Sequence, residues 1–208
     1  MLVAGPHTGE PTGRKQYIVN QVYTKYVILL FCSWLLTSGG CKTMNVAEEL
    51  PSPVQQDTPD SSKAIPVSDD TFICLKKMHP VRGFFVGNLL DKLDDTLAAA
   101  MQPEGGPYPP GSIVQLIPAE AMIKHHKGWS AKTSDWEFFE LDVSEEGSTI
   151  KARGTTQVKN KFGGNCFECH QKAEPQWDFI CEEGHGCDSL PIPDFLIRRL
   201  QRDDPRCD

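Results

Sequence analysis

The chain has 208 residues, 39% of them hydrophobic and 24% charged, and its 28 acidic against 21 basic side chains leave a formal net charge of −7. That length suits one domain of ordinary size plus a tail, and the acidic balance excludes a general electrostatic grip on nucleic acid. Eight cysteines stand at positions 32, 41, 74, 166, 169, 181, 187 and 207, and the four from 166 to 187 fall within 22 residues.

In chain order, the first feature is the apolar run Tyr26–Leu36. At 11 residues it is shorter than the roughly 20 a spanning helix needs, but it suits the core of an export signal. Arg14, Lys15 and Lys25 precede it, and the small-residue stretch Thr37-Ser38-Gly39-Gly40 leads to Cys41. That stretch resembles a bacterial lipobox, so residues 1–41 read as a targeting segment with Cys41 as the lipidated residue and the membrane as its anchor. Plain cleavage or a retained anchor are the alternatives. Residues 42–70 hold four prolines, many acids and few large apolar groups, which predicts a disordered tether. The folded unit is then expected over 71–208.

Within that unit, Asn88–Met101 predicts a helix with Leu89, Leu90, Leu93, Leu97 and Met101 on one face and Asn88 at its cap. The proline- and glycine-rich stretch 102–111 must break it. Ser112–Ile117 reads as a strand, and Ala119–His126 fits helix or strand equally. Trp136–Val143 and Thr149–Arg153 read as a hairpin across Glu145-Glu146-Gly147. The predicted fold is α+β: a small, mainly antiparallel sheet with flanking helices, a helix bearing the cysteine motif and a loop-rich C-terminus.

The chemistry concentrates at Cys166-Phe167-Glu168-Cys169-His170, the C-x-x-C-H pattern of covalent c-type haem attachment. Two cysteines three apart occupy neighbouring corners of one helical turn, so both thiols reach the vinyl groups of one porphyrin edge. His170 then supplies an axial nitrogen to the iron. Gly163 and Gly164 leave room for the macrocycle. Two other readings share the local pattern. One is a thioredoxin-like redox pair. The other is a structural zinc site built from Cys166, Cys169 and Cys181 with His185 or Cys187. An exported chain favours haem and disulfides over cysteine-bound zinc. With the haem pair and Cys41 set aside, Cys181 is expected to bond Cys187, and Cys74 to bond Cys207.

These residues carry a family resemblance. Residues 107–193, through Asp135-Trp136-Glu137-Phe138-Phe139, the Gly163–His170 stretch and Trp177-Asp178-Phe179, resemble the cytochrome P460 superfamily, which includes cytochrome c′-beta. The resemblance implies haem held against an antiparallel sheet, a small-molecule or gas ligand such as NO or CO, redox partner proteins and a homodimer. Members that oxidise hydroxylamine carry a lysine cross-linked to the haem. That position falls on Leu116 here, or on Lys124 in a shifted register, so the resemblance points to ligand binding or electron transfer, with oxidation of hydroxylamine or nitrogen oxides as the alternative. Candidates for a sixth iron ligand are Met101, Met122, His125, His126 and His185, each with an ordinary core or surface role to weigh against it. Trp136, Phe138 and Phe139 read as sheet core or distal wall, and Lys151 and Arg153 as an exposed strand face or propionate partners.

Overall fold

The computed structural model describes residues 58–207, so the targeting segment, Cys32, Cys41 and the tether up to residue 57 lie outside the described residues. Six strands form one antiparallel sheet in simple sequential order: β1 His79–Val81, β2 Phe84–Asn88, β3 Ser112–Gln115, β4 Glu120–Lys124, β5 Trp136–Ser144 and β6 Gly147–Gly154. Helix α1 (Leu93–Met101) joins β2 to β3, α2 (Cys166–His170) follows the sheet, and α3 (Asp194–Arg202) precedes the C-terminus. The small α+β architecture with a mainly antiparallel sheet and flanking helices is what the sequence pattern implies. Among the described residues no helix is long and apolar enough to cross a membrane.

Because side chains alternate along a strand, the sheet buries two separate cores. Phe84, Val86, Val114, Met122, Trp136 and Phe138 face one way and meet Ala100 of α1, Tyr108, Val158 and Ile180. Ile113, Ala121, Ile123, Phe139 and Leu141 face the other and meet Phe72, Leu75 and Met78. The first half of β5 is therefore buried on both faces, and solvent alternation begins only at Asp142. Phe138 and Phe139, each 1% exposed, contribute roughly 1.5–3 kcal/mol apiece, one to each core. Ala119–His126, ambiguous by pattern, supplies β4: β3 and β5 pair with its two edges, and its faces send Met122 into the first core and Ala121 and Ile123 into the second.

Two expectations change. The helix predicted from Asn88 begins at Leu93, because Asn88 ends β2, where it pairs with Ser112. Its side-chain oxygen accepts from the Leu90 and Lys92 amides at 2.7 and 3.2 Å, closing the strand-to-helix turn. The buried helical residues are Thr96 and Ala100, and Met101 is 67% exposed. The packed chain also reaches back beyond residue 71. Ile65 is buried and its amide donates to His125 Nδ1 at 2.8 Å, while the Asp60 amide donates to the Trp129 carbonyl. Residues 58–70 thus line the second face instead of serving as tether.

Cys74 is bonded to Cys207 and Cys181 to Cys187. The first closes a separation of 133 residues and ties the C-terminal end to the second face. There Asp204 accepts from the Leu75 amide and Arg206 donates to the Phe72 carbonyl.

Candidate functional site

Helix α2 is placed by its approach. The Cys166 amide donates to the Val158 carbonyl at 3.0 Å, and the Asn165 side chain donates to the Thr156 carbonyl at 2.9 Å. Asn165 also caps the helix, accepting from the Glu168 amide at 3.0 Å. The preceding turn is pinned by Asn160, whose side-chain oxygen accepts from Phe162 and Gly164. Gly163 takes φ +86° there, a conformation that favours glycine.

This approach leaves Cys166 and Cys169 as the unpaired cysteines among the described residues, both half-buried. Burial pushes the Cys166 thiol up to about 12 and raises that of Cys169 as well. A redox pair works through a stabilised thiolate, the form that burial disfavours here. Cys166 belongs to a margin of part-buried groups packed on the first core, with Leu97, Ala99, Leu116, Ala152, Phe167 and Phe179.

His170 packs its ring 5.4 Å from that of Phe138. Its Nδ1–H donates to the Phe179 carbonyl at 2.7 Å, which commits Nδ1 and leaves the lone pair on Nε2. Burial lowers its pKa, favouring the neutral imidazole that a metal requires.

The carbonyl that accepts this bond belongs to an unusual turn. Asp178 and Phe179 both have positive φ, +46° and +69°. The Asp178 carboxylate is buried and accepts from Lys124 Nζ at 2.7 Å through both oxygens, from the Tyr108 amide at 2.8 Å and from the Ser134 hydroxyl at 3.1 Å. The Asp178 carbonyl accepts from the Trp136 indole at 2.8 Å. Lys124 Nζ sits 5.0 Å from the Trp136 ring centroid. Burial lowers the pKa of Lys124, and the facing Asp178 opposes that by favouring the ammonium. The 102–111 loop docks on the same turn, where a Cβ at Gly105 would lie 2.3 Å from the Gln176 carbonyl oxygen.

With this geometry in place, comparison offers no relative to read from: the chain matches no family model, no curated protein and no solved structure.

The remaining sequence candidates are mostly committed elsewhere. His125, expected in a solvated basic turn, is buried on the second face. It accepts from Ile65 and donates through Nε2 to Glu137 at 2.8 Å. His126 is exposed. Met122 is core, and Met101 projects into solvent. His185 stacks on Trp177 at 3.7 Å and donates from Nδ1 to the Ile180 carbonyl. Arg153 forks onto Glu137, and Lys151 pairs with Glu140. The zinc set is not assembled, since Cys181 and Cys187 are bonded to each other. Among the described residues only Cys74, Asp204 and Cys207 cluster with metal-ligand spacing, and two of these form a disulfide.

Sequence reading missed two acidic residues. Asp178 was seen only as part of an aromatic motif. Glu120 on β4 has a buried Oε1 without a hydrogen-bond partner, and burial pushes its carboxyl up to about 7. Its charge acts on both thiols of α2. A run of strand alternation through Glu120, Met122 and Lys124 was the available signal, and it required knowing that 119–126 is a strand.

Proposed function

We propose that this protein is an exported mono-haem c-type cytochrome, held to its haem by Cys166 and Cys169 and to the iron by His170, that binds a small ligand such as NO or CO or passes single electrons. The observation that carries the reading is the donor set: two unpaired, half-buried thiols three residues apart, followed by an imidazole whose Nδ1 is already spent on a carbonyl. Attachment is a net addition of each S–H across a vinyl double bond, so it needs no oxidant and proceeds from neutral thiols. The apolar margin of Leu116, Ala152, Phe167 and Phe179 offers the macrocycle a surface to cover. A bound haem supplies a one-electron couple and a coordination position for a small ligand.

Export with a lipid on Cys41 is part of the proposal. It is supported by the sequence of the N-terminal segment and by two disulfides, which suit an oxidising compartment. The engagement of both ring nitrogens of His125, the stacking of His185 on Trp177, the core position of Met122 and the exposure of Met101 favour an open sixth position. The cross-linking lysine of hydroxylamine-oxidising P460 proteins lacks a free counterpart in Lys124, whose ammonium is held by Asp178. One observation favours the enzyme reading: Glu120 provides a buried carboxyl titrating near 7 in the neighbourhood of the thiols, a suitable proton-transfer group.

A pyridine haemochrome spectrum of the full chain, matured in a host with c-type haem assembly, tests the reading. The expected result is one haem per chain with thioether linkage, and a reduced form that takes up CO. A colourless protein containing zinc would overturn it. Hydroxylamine turnover would replace ligand binding by the enzyme alternative.

A further inference from the structure

Deepening the haem reading, we propose that Lys124 and Asp178 are positioning residues for His170: their buried ion pair holds the 177–179 turn in the one shape that presents the Phe179 carbonyl to Nδ1. Of the two residues, aspartate visits positive φ readily and phenylalanine does not, so residue type leaves the conformation of Phe179 unexplained. Two consecutive non-glycine residues with positive φ cost on the order of 1–3 kcal/mol each and persist only where their surroundings impose them. The surroundings are explicit here. All hydrogen bonds found to Asp178's side chain and carbonyl come from the sheet or its adjoining loops: Lys124 at the end of β4, Ser134 and Trp136 at the start of β5, and Tyr108 before β3. The Ile180 amide closes the turn on the Trp177 carbonyl at 2.8 Å. With Asp178 fixed on both sides of its Cα, the next carbonyl has little freedom, and it lies 2.7 Å from His170 Nδ1. A carbonyl can only accept, so Nδ1 must carry the proton and Nε2 the lone pair. The ion pair thus sets both the tautomer and the plane of the ring from residues that do not touch it.

The informative variant is Lys124→Met with Asp178→Asn, which removes both charges together and leaves neither buried alone. Asparagine tolerates positive φ. Two readouts are needed. In the full chain expressed without haem-attachment machinery, histidine nitrogen NMR should report the Nδ1–H tautomer for His170 in the wild type and a mixture with the Nε2–H form in the double variant. In the haem-loaded protein, resonance Raman should show a single iron–histidine stretching band in the wild type and a shifted, broadened band in the variant, with thioether attachment retained. Trp136→Phe, which removes the indole bond to the Asp178 carbonyl and trims the ring that faces Lys124 Nζ, should move both readouts less and in the same direction, and it carries the test if the double variant does not fold. A folded double variant with a wild-type tautomer and stretching band would overturn the proposal. A wild-type chain that holds the Nδ1–H tautomer yet takes up no haem would overturn the haem reading while leaving the positioning role standing.

Discussion

The two faces of the sheet use the same devices for different ends. On the second face, buried Glu137 bonds buried His125 and the exposed guanidinium of Arg153, and the Cys74–Cys207 disulfide fastens the chain's late residues to its early ones. On the first face, Lys124 and Asp178 form a buried ion pair and Cys181–Cys187 closes a short loop. The second face is bonded almost throughout, with Gln115 Oε1 as its open atom among the described residues. The first ends in groups with capacity to spare: two thiols, an imidazole Nε2 and a carboxyl oxygen without a partner. Lys124 and His125 are neighbours in sequence and serve opposite faces, so one step along β4 separates fastening from function. What the comparison teaches is that buried charge alone does not identify a site, whereas bonding capacity left open beside it does.

The sharpest separation of the faces comes from Cys166→Ala with Cys169→Ala. Covalent haem should disappear completely by mass spectrometry, while the unfolding midpoint of the haem-free chain changes little because both side chains are only half-buried. Next in size is the loss of Cys74–Cys207. Its separation of 133 residues makes the bond worth roughly 5 kcal/mol in chain-entropy terms, against about 2 kcal/mol for the six-residue separation of Cys181–Cys187. Denaturant titration of Cys74→Ser/Cys207→Ser and Cys181→Ser/Cys187→Ser should preserve that order, and an equal loss would break the contrast.

Glu137→Gln should cost about 1–2 kcal/mol, because it weakens the buried bond with His125 and a charge-assisted bond from Arg153, whose guanidinium is 40% exposed and stays hydrated. It should leave the His170 tautomer untouched, since the network lies on the other face. A change at His170 in this variant would mean that the faces are coupled.

The remaining expected effect is a graded one, of pH. Burial raises Glu120 from 4.5 to about 7, so the folded state holds a proton that the unfolded state releases at lower pH. Stability from this group is fully present below about pH 4.5, falls as pH rises toward 7 and is flat above, a loss of at most about 3 kcal/mol. Glu120→Gln should remove that slope and be more stable than the wild type at pH 8. An unchanged pH profile in chemical denaturation would place the carboxyl in a wetter setting than its orphaned oxygen implies.

The candidate site was legible at Cys166, Cys169 and His170 because their chemistry is local: one helical turn carries the whole attachment pattern, and no distant residue is needed to recognise it. The two disulfides were legible by elimination, since setting aside Cys166, Cys169 and the two cysteines of the targeting segment, Cys32 and Cys41, leaves four. The hairpin of β5 and β6 was legible from its alternation and its Glu145-Glu146-Gly147 turn. By contrast, the helix predicted from Asn88 began five residues early, because leucines 89 and 90 continue a helical stripe in sequence while strand pairing with β3 holds Asn88 extended.

By itself the amino-acid sequence determined the local Cys-x-x-Cys-His pattern, the antiparallel character of the sheet and which four cysteines cross-link. Tertiary structure alone decided which polar residues would be buried and with whom. Lys124 and His125 read as one basic turn until strand parity sends them to opposite faces, and Lys124 meets Asp178 across 54 residues of sequence. Glu120 looks like any strand-edge acid until the chain returning at Cys166 packs over its face of the sheet. Composition and spacing report what a side chain can do. Its proton affinity and its partner depend on how much water the fold removes and which donors it brings near, and both are set only when distant segments pack together.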